Sequence, residues 1–317
     1  MTVTGATGLI GPGLIAALRK QGAQVTVLSR DPIRARATLD SAASDDSATG
    51  PPVEAVAWDL MNEPAPAEAL AGRDAVVHLA GEPVAQRWTA TARKAISESR
   101  VKGTRHLVEG LREAGRSQRS ERPRTLVSSS AIGYYGQRGE EPLDEDAPAG
   151  SDFLADVCSE WEREAERASE LGVRVVRVRT GVVLDRNGGA LAKMLPPFRI
   201  GVGGPVAGGR QYISWIHRDD LIGIFLASIT DDRWVGPINA TAPEPVTNRD
   251  FSRALGRTLG RPSLLPVPGT ALRLLYGEMA EIVTTGARVM PAKPLVLGYQ
   301  FRHPSLAGAL DSAVGPG

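Results

Sequence analysis

Short apolar runs alternate with amphipathic stretches through the first half of the chain. Val3 and Thr4 lead into glycines at positions 5, 8 and 11, and Leu14, Ile15 and Leu18 then recur at helical spacing as far as Gly22. β-Branched runs follow at residues 24–28 (QVTVL), 53–58, 74–79 (DAVVHL), 124–130 (RTLVSSS) and 174–184 (RVVRVRTGVVL), each a predicted strand. Residues 89–114 carry a helical pattern, and residues 152–171 another, capped by Ser151 or Asp152 and ended by Gly172. Strands separated by helices predict right-handed βαβ units, hence an α/β fold with a doubly wound parallel sheet. The first strand has at most residues 1–4 to itself, short against the usual five or six. Either that strand is short or the natural start lies upstream.

From about Asn187 the texture changes. Residues 201–209 (GVGGPVAGG) form a glycine-rich loop, prolines stand at 266, 268, 291 and 294, and helical patterns recur at 220–229, 248–259 and 270–284. The expected organisation is a first domain over residues 1–185 and a smaller C-terminal α/β lobe over 186–317. The lobe includes a distinct final segment at about 265–317, and the chain returns to the first domain around 212–230. Residues 41–52 (SAASDDSATGPP) read as a flexible polar loop.

Composition narrows the function classes. The net charge is +1, so electrostatics favour neither nucleic acid nor an anionic membrane. The single cysteine, Cys158, excludes an intrachain disulfide and a cysteine-rich metal site. Apolar runs are too short to span a bilayer. A leader is expected to precede the first domain element, yet the glycines begin at residue 5, so the expectation is a cytosolic chain unless an import signal has been removed from it. The expectation is a cytoplasmic protein acting on a small molecule, without nucleic acid, membrane or metal, as monomer or homodimer.

Gly5-Ala6-Thr7-Gly8-Leu9-Ile10-Gly11 is G-x-x-G-x-x-G between a strand and a helix, the setting of a Rossmann-like dinucleotide site. The first glycine permits the turn, the second admits a pyrophosphate, and the third lets helix and strand pack closely. Thr7, Leu9 and Ile10 share that loop. At the end of the second strand an NAD site often has an acid for the ribose 2′-hydroxyl. Here Ser29 and Arg30 stand there, with Arg34 as a second cation, which suits a 2′-phosphate and favours NADP(H) over NAD. Surface arginines beside a loop are the plainer alternative, and Asp31 is adjacent.

With Asp59-Leu60, the stretch His78-Leu79-Ala80-Gly81, Ser128-Ser129-Ser130 and residues 214–220 (SWIHRDD), the chain resembles the extended and atypical short-chain dehydrogenase/reductases. Residues 99–104 (SRVKGT), 130–136 (SAIGYYG), Trp161-Glu162, 277–280 (GEMA) and 288–291 (RVMP) resemble the branch called epimerase family proteins, which carries a C-terminal domain of unknown function. The resemblance implies that Asp59 and Leu60 lie against the adenine and that Ala80 and Gly81 run along the cofactor ribose and phosphates. It also implies that Ser128 to Ser130 lie beside the nicotinamide, with Ser130 polarising a substrate oxygen.

That family works with a Tyr-x-x-x-Lys pair on the helix after the fifth strand. No tyrosine here has lysine four residues on. Alignment puts Leu154 and Cys158 at the two positions, within one residue, and a lone cysteine on an apolar stripe is core more often than nucleophile. Tyr134 and Tyr135 are the candidates for proton transfer in their place, or they merely wall the pocket. Glu82, Arg100, Gln211 and Trp215 are the expected substrate contacts, with Arg100, Arg210 and Gln211 suited to an anionic or polyhydroxylated compound. His217 is expected to be structural. Two functions follow. One is an NADP(H)-binding oxidoreductase or nucleotide-sugar-epimerase-like enzyme acting on a small polar carbonyl or sugar-like substrate. The other is a non-catalytic NADP(H)-binding sensor or structural module.

Overall fold

A computed structural model describes residues 1–42, 50–116 and 123–315. Seven parallel strands form the central sheet: β1 (Thr2–Thr4), β2 (Thr26–Ser29), β3 (Glu54–Ala57), β4 (Ala75–His78), β5 (Thr125–Ala131), β6 (Arg174–Thr180) and β7 (Gly236–Ala240). Their order is β7-β6-β5-β4-β1-β2-β3, which reverses direction between β1 and β4. Connecting helices are α1 (Gly11–Lys20), α2 (Pro32–Ala42), α3 (Ala67–Leu70), α4 (Ala90–Ala114), α5 (Phe153–Glu166), α6 (Gly189–Arg199) and α7 (Arg218–Thr230).

Alternation along each strand divides the core. Val3, Val27, Val77, Val127 and Val176 pack with Leu14 and Leu18 of α1 and Leu221 and Phe225 of α7. Val76, Leu126 and Val175 pack on the other face with Leu107 and Leu111 of α4. Ser128 and Ser130 share the α4 and α5 face by the same period of two. β1 has only three residues, all buried, and bonds to β2 on one side and β4 on the other.

Local chemistry sets several element ends. Thr89 caps α4 by accepting the Ala92 N–H, and Asp152 caps α5 by accepting the Ala155 N–H. The expected strand over 174–184 is two strands. The chain breaks at Gly181, where a Cβ would lie 2.5 Å from the Ser214 carbonyl oxygen, and Val182–Leu184 pairs instead with Trp215–His217. The expected helix over 270–284 is likewise interrupted, with Gly277 at φ +64° between Gly269–Tyr276 and Ala280–Thr284.

The return to the first domain runs further than residues 212–230, since β7 adds the edge strand beyond β6. The smaller lobe has its own core of Leu191, Leu195, Phe198, Trp215, Phe251 and Leu310. Of the polar loop expected at 41–52, residues 43–49 lie outside the described residues.

Candidate functional site

The groove opens at the carboxyl ends of β1, β2 and β4, where the strand order reverses. Gly5 turns the chain at φ +67°, and a Cβ there would lie 2.6 Å from the Leu79 carbonyl carbon. At Gly11 a Cβ would meet the Ala6 carbonyl oxygen at 2.2 Å, so α1 can start this close to the turn after β1 only without a side chain there. Gly8 has ordinary φ, and a Cβ would meet nothing nearer than the Gly5 oxygen at 3.3 Å. Its bare backbone faces open space rather than a packing partner. The first bond of α1 runs from the Leu14 N–H to the Ile10 carbonyl, and no side chain caps the helix. The preceding N–H groups and the positive end of the helix dipole are thus left for an anion.

Gly5, Thr7, Gly8, Ser29, Arg30 and Leu60 line this groove, as do Ala80, Gly81 and Glu82 at its other end. Leu9 turns away to pack on Gly188, and the Ile10 side chain joins the core beneath. Only their backbone remains for a ligand.

The acid at the end of β2 has another task. Asp31 Oδ1 accepts the Arg34 N–H at 2.9 Å, capping α2, while its own N–H donates to Ser29 Oγ at 3.2 Å. Asp59, expected against the adenine, does not line the groove. Its carboxylate accepts from the Met61 N–H at 3.0 Å and the Asn62 side-chain amide at 2.7 Å, holding the turn from which Leu60 and Met61 project.

Below the groove, buried His78 hydrogen-bonds through Nδ1 to Thr4 Oγ1 at 2.8 Å and through Nε2 to Thr104 Oγ1 at 3.0 Å. Burial, reinforced by the Arg100 charge, lowers its pKa to about 4, so the ring is neutral and ties β1, β4 and α4 together. Ser128 is also buried, and its hydroxyl donates to the Ser129 carbonyl at 3.2 Å.

The residues expected to carry catalysis are largely committed elsewhere. Ser130 is 3% exposed, and its Oγ donates to Glu162 Oε1 at 2.6 Å. Glu162 takes two more bonds from Arg179, Nε to Oε1 at 2.8 Å and Nη2 to Oε2 at 2.9 Å. Arg179 Nη1 donates to the Tyr135 hydroxyl at 2.9 Å, and that hydroxyl donates to Asn239 Oδ1 at 2.7 Å. Glu145 closes the network by accepting the N–H groups of Asn239 at 3.0 Å and Lys293 at 3.1 Å.

Tyr135 is fully buried, and burial first of all pushes its hydroxyl up to about 12. It is a structural link, not an acid–base group. Ser130 has spent its one proton within the same network, so the donor expected beside the nicotinamide is not free. Tyr134 is half-buried, with the Arg179 guanidinium 3.5 Å from its ring centroid. Of the two adjacent rings, only Tyr134 reaches solvent. Glu162 stood in the sequence only as part of the Trp161-Glu162 resemblance, and no motif singled out Arg179, Asn239 or Glu145. The available signal was Arg177 and Arg179, alternating with valines in the interior of the strand Arg174–Thr180.

Leu154 and Cys158 occupy the positions where a tyrosine and lysine were sought. A Cβ on Gly133 would lie 3.3 Å from Leu154 Cβ and 3.8 Å from Cys158 Sγ, so the two pack on the backbone of the turn after β5. Burial raises the Cys158 thiol to about 12, with the Glu162 charge second, which leaves it protonated and inert.

The expected substrate contacts divide. Glu82 lines the groove, its N–H donating to Ser99 Oγ at 2.9 Å, and Arg100 lies directly behind it. Trp215 does not reach the groove: it is 0% exposed in the lobe core, with its indole N–H on the Glu244 carbonyl. Gln211 is likewise spent on the Val206 and Val283 carbonyls, tying loops of the lobe together. His217 caps α7 by accepting the Asp219 N–H at 3.1 Å, and its ring stacks on His303 with centroids 3.8 Å apart.

Comparison with known proteins places this geometry. The family described as NAD dependent epimerase/dehydratase matches residues 1–238, and a domain of unknown function, DUF1731, matches residues 267–313. An epimerase family protein SDR39U1 homolog from Arabidopsis thaliana, chloroplastic by name, is 39% identical over 310 residues, covering 98% of this chain and 85% of its own. Epimerase family protein Mb2239 of Mycobacterium bovis is 37% identical over 315 residues, covering 99% and 97%. A crystal structure of human epimerase family protein SDR39U1 with NADPH superposes with a TM-score of 0.82 at 33% identity, covering 98% of each chain. Among the described residues no helix is long and apolar enough to cross a membrane.

Proposed function

Because this chain belongs to the NAD dependent epimerase/dehydratase family, we propose that it is an NADP(H)-binding oxidoreductase or epimerase-like enzyme. Its substrate in this reading is a small polar carbonyl or sugar-like compound. The observation that carries the reading is the groove end at Ser29 and Arg30. An exposed guanidinium stands there, and the neighbouring acid, Asp31, is occupied as a helix cap. The similar human protein was crystallised with NADPH, which supports the same choice.

The glycine cradle fits a dinucleotide. Gly5, Gly8 and Gly11 with the open end of α1 would hold the pyrophosphate, and Thr7 lies beside them. Leu60 and Met61 would cover the adenine, Ser29 and Arg30 the 2′-phosphate, and Ala80 and Gly81 the ribose next to the reacting end. A nicotinamide held there supplies or accepts hydride. The half-buried Tyr134 is then the hydroxyl available to donate or accept a proton, without a lysine beside it.

A second reading has its own observation. Leu154 and Cys158 replace the acid–base pair with apolar packing, and Ser130 and Tyr135 are locked in a buried network. Binding without turnover, as a sensor, accords with that.

Tryptophan fluorescence of cofactor-stripped protein, titrated with NADPH and NADH in parallel, tests the cofactor. NADPH should bind at least about tenfold tighter, as one lost charged contact is worth 1.4 kcal/mol or more, and Arg30→Glu should abolish the preference. Equal binding of the two refutes it. Oxidation of bound NADPH by a panel of carbonyl compounds then separates enzyme from sensor, since turnover excludes the purely binding role.

A further inference from the structure

The groove ends at Gly81 and Glu82, and a cation stands behind that end. Arg100 of α4 sends Nη1 to the carbonyls of Glu82 at 2.9 Å and Ile96 at 3.1 Å. A Cβ on Gly81 would lie 3.3 Å from its guanidinium carbon, and the Trp161 ring centroid lies 5.1 Å away. Arg100 is thus held between the groove end and α5, the helix that carries Leu154 and Cys158.

Two features make this guanidinium unusual. Among the described residues no carboxylate comes within ion-pair distance of it, whereas buried Arg179 and half-buried Arg177 each have one. Its hydrogen bonds to the described residues all leave from Nη1, and Nε and Nη2 take no protein acceptor among them. Those two N–H groups form one edge of the planar fork, the edge that receives a carboxylate through two parallel bonds. The titratable groups nearest to it offer little compensation. His78 and Cys158 are neutral through burial, and the Glu82 carboxylate is felt at a distance without pairing. Arg100 is half-buried, and its Nε and Nη2 N–H groups are not sealed from solvent, so an incoming anion can reach them.

We propose that Arg100 is the anion-recognising residue of the substrate pocket, and that the substrate is a carbonyl or hydroxy compound bearing a carboxylate. This rests on the NADP(H) reading above and gives it a substrate class. The free fork edge takes the carboxylate. The bonds to Glu82 and Ile96 fix the plane of the fork, and Trp161 packs beside it. The carbon to be reduced or oxidised then lies next to the carboxylate, toward the groove end.

The test uses oxamate as probe and oxamide as its uncharged counterpart, titrated calorimetrically into the full chain with and without NADPH. Wild-type protein with NADPH should bind oxamate at least tenfold tighter than oxamide. Arg100→Met should bring the two within about twofold, and Arg100→Lys should restore part of the preference. NADPH affinity of Arg100→Met should stay within about threefold of wild type. Equal binding of the two probes by wild type, or binding of neither, overturns the proposal and leaves the cofactor reading standing. A tenfold loss of NADPH affinity in Arg100→Met, with no oxamate preference in wild type, assigns the charge to the cofactor's phosphates and also overturns it. Failure of wild type to bind NADPH strikes the cofactor reading, and an oxamate preference absent in that case strikes this one too. The wild-type comparison needs no variant, so instability of Arg100→Met would not shield the proposal.

Discussion

Removing the Glu162 carboxylate should unfold this protein more readily than any change to the groove. Glu162 is 3% exposed and accepts three bonds, one from Ser130 and two from Arg179, which is itself 3% exposed. In Glu162→Leu the Arg179 guanidinium stays buried with only the Tyr135 hydroxyl and the Glu145 carbonyl as acceptors. Breaking a buried pair from one side typically costs about 3–5 kcal/mol, because the remaining charge is uncompensated. Replacing both partners by apolar groups is often close to neutral, so Glu162→Leu/Arg179→Met should recover to within roughly 2 kcal/mol of wild type. The assay is urea unfolding followed by tryptophan fluorescence, read as midpoints at constant slope, with the double-mutant cycle giving the coupling. A loss below about 1 kcal/mol in Glu162→Leu would refute the reasoning. So would a double variant as unstable as the sum of the singles.

Other expectations follow from the same geometry. Ser130→Ala should lower stability by about 1–3 kcal/mol, the scale of a hydrogen bond to a buried charge, while NADPH affinity measured by fluorescence stays unchanged. Gly8→Val should keep the melting temperature within a few degrees yet lose at least about tenfold in NADPH affinity, because its Cβ would project where backbone must approach a phosphate. The unfolded chain protonates His78 near pH 6.5 and the folded chain near 4, so between those values the unfolded state binds more protons. That contribution is fully present above pH 6.5 and falls by roughly 3 kcal/mol as pH drops to 4. Proton uptake on unfolding, measured across that window and absent in His78→Asn, checks it. Cys158 should be unreactive toward a thiol reagent at pH 8 in the native state and react at the unfolding rate, since burial holds it protonated to about 12.

The division of labour between sequence and fold is clear at individual residues. Periodicity alone carried the alternating strands and helices, because a strand's period of two and a helix's period of 3.6 are local properties. The glycine cradle was legible for a similar reason: Gly5, Gly8 and Gly11 are close in the chain, and the turn they build depends on neighbours only a few residues away. Asp152 marked the start of α5 by equally local chemistry, whereas Gly172 does not end that helix, which stops at Glu166, but follows a separate turn over Ser169–Leu171. The absence of a tyrosine–lysine pair was also readable directly.

Contacts across long stretches of chain were not. Ser130 and Tyr135 looked available because their sequence neighbours do not oppose that. Their commitments come from Glu162, Arg179 and Asn239, up to 104 residues away. Trp215 and Gln211 stood in a stretch expected over the substrate, and only packing of the lobe turned one into its core and the other into its loops. Asp59 and Asp31 read as ligand contacts or obstacles until short-range turns claimed their oxygens. Composition and local pattern determined that this chain builds a dinucleotide groove, since that depends on backbone shape. Which polar side chains remain free to act there was decided by tertiary structure, because a hydrogen-bonding group has few bonds to give and distant residues had already taken them.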